Sequence, residues 1–496
     1  MSHRNKFAYS RTRLLLALAA VFCLLGASSA AAATRLVSTA GSDSGNCTAA
    51  PCASFNHAYN QAAAGDVIVV APGNYGVQRA PGGSKPVTFL GGPGVVVRQM
   101  VNDASNVTYD GINVDAGGTQ TDGAAFELGG DGTTVRNASI GNVSDEKAML
   151  ATGANLTVDN VTFHDAVYRT DGVHMECLYA IMVPGFTLRN STFRDCAIMD
   201  VFFTYGTWWT PKPPAYGNIT IENNVFGHPE MENNSGWHYF SLYVADTGPN
   251  GTNGDPMNGW VVRNNTFESP AYISSSGGTN GTRWVNNLGS WDCKGGIAYR
   301  GNVGKACSGQ DKAVSPASSS RTTTAAFGWV NPGGVDFQLK PGSPAINAAS
   351  ADDAPSTDRL GLARDSRPDA GAYEFGATRP GGGPGGGAGP GGRALRITFA
   401  RLTPKTICKR ARRGCPKAAR LRLRVTAQSR VSVRVKRLRQ GRKAKRVKAF
   451  SYGVADRRTR RVRARGLRPG RYVVAVVAAD QAGTRSNVRR LRLRVR

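Results

Sequence analysis

The sequence predicts an all-β protein, in which a long solenoid of strands is followed by a small β-sandwich. The main observation is a phrase that recurs between Val107 and Leu288: alternating apolar residues, an asparagine, two more residues and then an apolar side chain. Successive asparagines are 23, 30, 33, 41 and 22 residues apart. A constant strand with connections of variable length is typical of a solenoid. The anchoring asparagines are Asn137, Asn160, Asn190, Asn223, Asn264 and Asn286.

Each copy of the phrase alternates with a period of two, as a strand does. Val135 and Val158 therefore share one face, and Arg136 and Asp159 share the other. If the copies stack, the apolar residue after each anchor forms a buried, largely aromatic column, and the asparagines form a hydrogen-bonded ladder. The column residues are Ile140, Phe163, Phe193, Phe226 and Phe267.

With this repeat, the chain resembles the right-handed parallel β-helix proteins of the pectate-lyase type. The resemblance covers residues 34–376. Its beginning predicts a strand at Arg35 to Ser38 and a capping helix around Phe55 to Ala64. Its end, Ser343 to Phe375, is similar to the terminal segment of bacterial β-helix proteins, and we expect it to close the other end of the solenoid. We interpret the acidic residues of this segment as structural; they are Asp352, Asp353, Asp358, Asp365 and Asp369.

Residues 1–33 have the pattern of a secretory signal peptide. Basic residues precede the apolar run LLLALAAVFCLLG, and small residues lead to a predicted cleavage site near Ala33. The apolar run is short for a membrane span, and we expect no transmembrane segment elsewhere. The sequence therefore predicts a secreted protein.

The cysteines agree with export. Eight of the nine cysteines lie beyond the signal peptide, and an even number in an oxidising compartment indicates disulfides in preference to a metal site. Eight cysteines allow many connectivities, among which we favour pairing of sequence neighbours. These pairs are Cys47 with Cys52, Cys177 with Cys196, Cys293 with Cys307, and Cys408 with Cys415.

A change of composition separates a second domain from the solenoid. Residues 377–392 form a linker rich in glycine and proline. Residues 393–496 contain 36 Lys and Arg against two Asp, a formal charge of +34, whereas the whole chain carries +29. Alternating stretches such as LRLRV at Leu421 and VSVRV at Val431 predict strands with apolar residues inward and arginine outward. The region resembles an immunoglobulin-like or fibronectin-like sandwich.

The charge of this domain has two interpretations. It indicates adhesion to an anionic polymer, such as an acidic wall polymer, a uronate chain or extracellular DNA. Alternatively, it is a solvated cationic surface without a partner. The sequence lacks the motifs of domains that recognise specific bases, so we expect no sequence-specific binding of nucleic acid.

The candidate site lies in the long connections of consecutive coils, between residues 168 and 260. Because the coils are consecutive, we expect these connections to form one wall or groove. Carboxylates and a histidine there could supply general acid and base for glycosidic cleavage, and tryptophans could contact sugar rings. The catalytic candidates are Asp171, His174, Glu176 and Asp200; the substrate-binding candidates are Arg169, Asp195, Trp208, Trp209, Trp237 and His238. The alternative is that these are ordinary polar residues on a hydrated sheet, with the tryptophans folded under their own loop.

The resemblance implies polysaccharide as the partner and, for an enzyme, lyase or hydrolase chemistry. Of the four polygalacturonase motifs, only Thr170, Asp171 and Gly172 match one in part. A pectate lyase would use Ca²⁺ beside a basic residue, for which Lys147, Arg169 and Lys294 are candidates, but no signature surrounds them. We expect a secreted β-helix that binds, and in its enzymatic version cleaves, extracellular polysaccharide. The alternative is a non-catalytic adhesion protein of the cell surface.

Overall fold

The chain divides into two compact units, Met1–Phe375 and Gly376–Arg496. The structure, a computed structural model, describes residues 32–167, 175–204, 217–227, 240–245, 257–274, 278–314, 326–332, 335–377, 397–409, 415–425, 429–439, 442–454, 457–464, 466–479 and 489–496. Within these ranges, no helix has the length and apolar character needed to cross a membrane.

The first unit is a right-handed parallel β-helix whose coils contribute strands to three faces. Face 1 is an 11-stranded parallel sheet. Its strands are β1 (Thr34–Val37), β2 (Val67–Val70), β4 (Val87–Leu90), β6 (Val107–Asp110), β9 (Thr134–Arg136), β12 (Thr157–Asp159), β15 (Thr187–Arg189), β18 (Thr220–Glu222), β21 (Val261–Arg263), β24 (Arg283–Val285) and β26 (Ala298–Arg300).

Faces 2 and 3 together form a 17-stranded sheet, because the long strands β3 (Gly73–Gly83) and β5 (Val95–Ala104) join them at one end. Face 2 contains β7 (Asn113–Thr119), β10 (Ser139–Ser144), β13 (Thr162–Val167), β16 (Thr192–Cys196), β19 (Val225–Phe226), β22 (Thr266–Phe267), β25 (Leu288–Gly289), β27 (Val303–Gly304) and β28 (Lys312–Ala313). Face 3 contains β8 (Phe126–Leu128), β11 (Met149–Ala151), β14 (Glu176–Ile181), β17 (Met199–Thr204), β20 (Phe240–Val244) and β23 (Ala271–Ile273).

The anchoring asparagines form the turn from face 1 to face 2. All six have positive φ, between 51° and 58°, a left-handed conformation that asparagine tolerates better than most residues. The anchor therefore recurs because each coil needs the same sharp turn between two strands.

The predicted column of phenylalanines is confirmed. Phe163 and Phe193 stack with ring centroids 4.7 Å apart, and Phe193 and Phe226 with centroids 5.0 Å apart. Phe267 continues the column, which ends on Trp284 with centroids 5.7 Å apart. The column fixes the register of consecutive coils, whatever the length of the connections between them.

The asparagine ladder is also present, and a second, more regular ladder runs through the residues after the anchors. Asn224, Asn265, Asn287 and Asn302 are fully buried. The side-chain oxygen of Asn265 accepts from the backbone amide of Asn224 at 3.0 Å, and Asn287 and Asn302 repeat this bond in the next coils. The anchors make a partial ladder, in which Asn160 donates to Asn137 at 2.8 Å near the surface and the buried Asn286 donates to Asn264 at 3.3 Å.

A short helix caps the first coils. Helix α1 (Phe55–Gln61) begins after Ser54, whose hydroxyl accepts from the amide of His57. Phe55 is fully buried and stacks on Phe89 with centroids 4.9 Å apart. The predicted capping helix is therefore present.

A buried ion pair holds the chain beside this cap. Arg35 donates to Asp66 at 2.8 Å, and the backbone amides of Ala33 and Ala63 donate to the same carboxylate. Burial alone would raise the pKa of Asp66, but these hydrogen bonds outweigh burial, so the pKa lies below its ordinary value.

The segment Ser343 to Phe375, here named the strap, does not close the end of the solenoid as expected from the sequence. It runs along the flank, where Arg359 donates to Thr192, Arg364 to Asn223, and Asn286 to the carbonyl of Ser350. Together with Asn264, which donates to the carbonyl of Asp369, these partners lie on four consecutive coils. The strap lies on this flank because the turns carry polar groups that need hydrogen-bond partners. The outer side of face 2 also carries apolar side chains here, which the strap covers.

The strap and a hairpin of β29 (Trp329–Asn331) and β30 (Asp336–Leu339) bury the outer side of face 2. The outward residues Val225, Leu288 and Val303 pack in one cluster with Phe337 and Tyr373. The acidic residues of the strap are structural where they are buried: Asp353 pairs with Arg283 and Arg300, Asp358 accepts from Leu362, and Asp369 accepts from Asn347.

The second unit is a small β-sandwich. One sheet has the order β31 (Ile397–Thr403), β33 (Ala418–Val425), β36 (Arg457–Arg463); the other has the order β32 (Thr406–Ile407), β38 (Arg489–Val495), β37 (Gly470–Ala479), β34 (Ser429–Arg439), β35 (Arg442–Val454). Apolar residues from both sheets form one core, which includes Leu421, Val433 and Val474.

Four disulfides join the sequence neighbours, as predicted. They are Cys47–Cys52, Cys177–Cys196, Cys293–Cys307 and Cys408–Cys415. Such a set is typical of proteins that fold outside the cytosol.

Candidate functional site

The outer side of face 3 carries a row of aromatic rings. Strand register places Tyr179, Phe202, Tyr243 and Tyr272 side by side on consecutive coils. Their neighbours in the same strands, such as Leu178 and Leu242, are fully buried in the core, so alternation directs the rings outward. We name these four residues the aromatic column.

The rings stack along the axis of the solenoid. Tyr179 and Phe202 have centroids 5.1 Å apart and planes inclined by 3°, and Phe202 and Tyr243 have centroids 5.1 Å apart. Tyr272 follows at 5.3 Å and is 37% exposed. Phe240 lies against Tyr272 with centroids 4.9 Å apart. The column is therefore a continuous stack over four coils, in which Phe202 is buried at 7% exposure and the tyrosines are more exposed.

The strip begins at polar residues. Lys147 lies with its ammonium 5.8 Å from the ring centroid of Tyr179, and Glu127 occupies the column position two coils earlier. Partial burial raises the pKa of the Glu127 carboxyl. A ligand on the strip would therefore meet a cation and a carboxyl group at one end.

The long connections enter and leave the strands of the strip. Residues 168–174 and 228–239 precede β14 and β20, and residues 205–216 and 246–256 follow β17 and β20. Most of the candidate residues lie in these connections, outside the described residues: Arg169, Asp171, His174, Trp208, Trp209, Trp237 and His238.

Glu176, Asp195 and Asp200 are described, and they lie near the corner between faces 2 and 3. Glu176 is opposite Met199 in the register of β14 and β17, so Asp200 is opposite Cys177. Glu176 and Asp200 are both fully buried. Met175, Glu176 and Cys177 are all buried at this corner, so the side chain of Glu176 is not exposed to solvent as those of alternate residues on a strand usually are.

The disulfide Cys177–Cys196 pins this corner. It joins β14 of face 3 to β16 of face 2, with Cα atoms 5.5 Å apart. Asp195 precedes Cys196 and has a left-handed conformation with φ of 56°. The bridge therefore fixes Asp195 relative to the strand that carries Glu176.

A charged group next to this corner contains one sequence candidate, Asp195, and three residues that were not candidates. His164 Nδ1 lies 2.8 Å from Asp165 Oδ2, and Arg194 lies 3.5 Å from Asp195. His164 and Arg194 are register partners on adjacent coils, and Asp165 and Asp195 share the left-handed conformation. Asp165 and Asp195 thus occupy equivalent backbone positions on adjacent coils, where neighbouring strands are about 4.8 Å apart. We name these four residues the corner cluster.

The sequence contains signals for both features. VTFHDA and STFRDC repeat an aspartate two residues after the stacked phenylalanine. CLYA, DVFF and SLYV repeat an aliphatic residue followed by an aromatic one, one strand after the asparagine phrase. Both patterns are shorter than the main repeat and are separated from it by connections of variable length.

Faces 1 and 2 are weaker candidates for a binding surface than face 3. The outward charges of face 1 alternate in sign along the axis, and Arg136, Arg189 and Arg263 each pair with a carboxylate of the preceding coil at 2.9, 3.0 and 2.8 Å. The strap covers face 2 from Thr192 onward. In the described part of the first unit, the aromatic column is therefore the outer strip of stacked rings that extends over several coils.

The described residues form no metal cage. Cys47, Cys52 and His57 are the one group of three whose ligand atoms come within reach of a common ion in the described ranges, and the two sulfurs are joined in a disulfide. Asp165 and Asp195 offer oxygen donors of the kind that Ca²⁺ takes, but Ca²⁺ needs more ligands than these two side chains. The described residues therefore do not fit a calcium site.

No protein-family model matches this chain, and no curated protein is similar to it at a significant level. Among solved structures, the crystal structure of pectate lyase Pel9A is similar, with a TM-score of 0.45 and 16% sequence identity. The match covers 70% of this chain and 97% of that chain.

Proposed function

We propose that this protein is secreted and binds a polysaccharide chain along the aromatic column, while its cationic second unit holds it on an anionic surface. In this proposal residues 1–33 are the signal peptide, 34–376 the β-helix with its cap, 377–392 the linker and 393–496 the basic sandwich. The observation that carries the proposal is the strip of stacked rings on the outer side of face 3.

The rings suit a sugar chain for two reasons. Aromatic faces offer flat apolar area to the C–H faces of sugar rings, and tyrosine adds a hydroxyl at the edge. The rings recur every 5.1 to 5.3 Å along the axis, so a chain lying along the solenoid would contact the tyrosines, with the buried Phe202 supporting its two neighbours. The polar residues Lys147 and Glu127 at one end of the strip could orient such a chain.

A second candidate function is cleavage of the bound chain, which the corner cluster favours. Two aspartates at equivalent positions of adjacent coils could bring their carboxylates to the separation of about 5 Å that a retaining glycosidase uses, in which one acts as nucleophile and the other as acid and base. His164 and Arg194 beside them could orient the carboxylates or stabilise negative charge. The sequence candidates Asp171, His174, Glu176 and Asp200 belong to the same corner or its connections, and they enter the proposal as further acids and bases.

Binding is tested by removing rings from the column. Tyr243→Ala and Tyr272→Ala should each weaken binding to the preferred glycan of a panel by about fivefold, because loss of one aromatic contact costs about 1 kcal/mol. Isothermal titration calorimetry measures the dissociation constants. Phe375→Ala is the matched control, since Phe375 is 40% exposed but lies in the strap. Equal affinities for the column variants and the control would reject the column as the binding site.

The same panel tests cleavage. New reducing ends without unsaturated uronate indicate hydrolysis, and unsaturated uronate indicates β-elimination. Asp165→Asn and Glu176→Gln should lower the rate at least tenfold if these carboxylates act in the reaction. A wild-type protein that binds glycan but releases no product favours the non-catalytic adhesion protein.

A further inference from the structure

The two sheets of the second unit have outer sides that point in opposite directions. They share one core, in which Leu421 and Leu423 of one sheet pack with Val433, Val474 and Val476 of the other. Residues that alternate with these core positions therefore lie on two separate outer surfaces. A flat ligand that covers one surface leaves the other accessible.

The outer side of the three-stranded sheet is an arginine lattice. Its exposed residues are Arg401, Arg420, Arg422, Arg461 and Arg463. Arg401 is directly opposite Arg422, and Arg420 is directly opposite Arg461. Like charges in directly opposite positions destabilise a sheet, and an anion placed between them would relieve the repulsion. We name these five residues the arginine face.

The outer side of the five-stranded sheet has a different pattern. On β37, the half-buried Val473 and Ala475 have shorter side chains than the cations on either side, so they form a shallow stripe along the middle of this surface. Ala475 lies between Arg434 and Arg490, and Val473 lies between Lys436 and Arg492. The two cationic rows are two strand spacings apart, about 9.5 Å. We name the cations Arg434, Lys436, Arg490, Arg492 and Arg494 the trough face; the first four border the stripe, and Arg494 lies opposite the exposed Arg471 at its end.

Neither face has enough acidic neighbours to neutralise it. The acidic residues after Arg393 are Asp456 and Asp480, against 36 Lys and Arg, and both aspartates lie outside the described residues. Two carboxylates cannot balance ten cations on two opposite surfaces. External anions must therefore supply the countercharge, and they must do so on both sides of the sandwich.

The chemistry of the faces favours an acidic polysaccharide over nucleic acid. Guanidinium groups bind carboxylates in a bidentate manner, and the stripe of valine and alanine between cationic rows suits the apolar side of a sugar ring. Proteins that bind single-stranded nucleic acid stack bases on exposed aromatic rings. Among residues of this unit whose exposure the structure describes, no exposed position is aromatic, and Tyr472 is buried in the core.

We propose that the second unit binds two chains of acidic polysaccharide, one on the arginine face and one on the trough face, and so cross-links them. The proposal rests on the anionic tether proposed above and defines its partner and valency. A tether with one face would only hold the protein on a surface. Two opposite faces make the protein a bridge between neighbouring chains of that surface.

The test uses the full chain and counts bound ligands. Short galacturonate oligomers are titrated calorimetrically into wild type and into two variants that replace five cations each by glutamine. One carries Arg401, Arg420, Arg422, Arg461 and Arg463 →Gln; the other carries Arg434, Lys436, Arg490, Arg492 and Arg494 →Gln. The number of bound oligomers should fall by one in each variant and by two in their combination. Binding on the aromatic column contributes equally to all four proteins and cancels in these differences.

A third variant controls for net charge. It replaces the exposed cations outside both faces, Lys405, Lys409, Lys417, Arg468 and Arg496, by glutamine, and its stoichiometry should equal that of wild type. Circular dichroism and melting temperatures establish that each variant is folded. Binding of all oligomers should weaken steeply with salt, because each occupied face releases counterions.

Cross-linking is measured by light scattering with long polygalacturonate. The experiment is made in a Tyr243→Ala, Tyr272→Ala background, so that the two cationic faces provide the bridging sites. Scattering should rise with the parent protein and stay at baseline with either single-face variant. Loss of only one ligand in the combined variant, or undiminished scattering by a single-face variant, overturns the two-face proposal but leaves a one-face tether. Absence of any salt-sensitive binding overturns both, and tighter binding of duplex DNA at equal salt overturns the choice of polysaccharide.

Discussion

Phe226 and Phe267 stack with ring centroids 4.9 Å apart and planes inclined by only 3°, although 41 residues separate them in the sequence. The long connection between them therefore leaves the register of the coils unchanged. Stacked rings inside the solenoid determine how the coils align, and the chain between them is free to vary in length and to carry function.

Replacement of Phe226 by alanine should destabilise the first unit by about 3 to 5 kcal/mol, because it leaves a cavity between Phe193 and Phe267. Phe226→Leu should cost less, since it refills part of that cavity. Guanidinium denaturation followed by tryptophan fluorescence measures the difference. The exposed Phe375 is the control, and its replacement by alanine should change stability by less than about 0.5 kcal/mol. A similar loss in both variants would contradict a special role of the stack.

Asp66 should make the cap sensitive to acid. Its folded-state pKa lies below the ordinary value, so as pH falls the unfolded chain takes up a proton before the folded chain does. The stability that Asp66 contributes is therefore complete above about pH 4 and is lost as pH falls through the folded pKa. Asp66→Asn should cost about 2 kcal/mol at neutral pH and progressively less below pH 4.

The measurement is the difference in unfolding free energy between wild type and Asp66→Asn at several pH values. Taking the difference removes the other titrating groups, which are common to both proteins. Asp122→Asn, at an exposed position, provides the comparison and should match wild type throughout. A cost of Asp66→Asn that does not change between neutral and acid pH would show that Arg35 and the backbone amides do not depend on the charge of Asp66.

Arg364 should be the most sensitive residue of the strap. Its guanidinium and the Glu374 carboxylate are each 2% exposed and lie 3.0 Å apart, and Arg364 also binds Asn223 of the solenoid. Arg364→Met leaves a buried carboxylate without its partner, which costs about 3 to 5 kcal/mol. Hydrogen exchange should show the loss in residues 343–375 before it appears in the coils.

Two further measurements test whether the unpaired Glu374 carboxylate causes the loss of stability in Arg364→Met. Burial already raises the pKa of Glu374, so the folded Arg364→Met variant binds a proton more tightly than its unfolded chain and should regain stability as pH falls. The double variant Arg364→Met, Glu374→Gln should be more stable than Arg364→Met alone at neutral pH. Strict additivity of the two single substitutions would instead show that they act independently.

The repeated phrase was sufficient to predict the coils, the phenylalanine column and the turns, because each depends on residues close in sequence. Asn223 and Asn224 show where this reasoning is incomplete. The two asparagines are adjacent and look equivalent in the sequence, yet Asn223 makes the turn and Asn224 forms the buried ladder. Only the path of the chain through the corner distinguishes them.

Features that join distant segments could not be predicted. Arg359 contacts Thr192 across 167 residues, so no local pattern indicates that the strap lies on the flank of the solenoid. Tyr179 and Tyr243 likewise become neighbours of Phe202 only through the register of β14, β17 and β20. The sequence placed the candidate site on the coils that also carry the aromatic strip, but the strip itself emerged only from the fold.

The position of the strap has a consequence for the order of assembly. Val225, Leu288 and Val303 are covered by residues that follow Ala326, so a nascent chain that has completed these coils still exposes their apolar flank until the following segment has been synthesised. Premature termination before Phe375 would leave that surface permanently uncovered. Truncated chains should consequently associate with one another or be degraded, even though every rung of the solenoid is already in place.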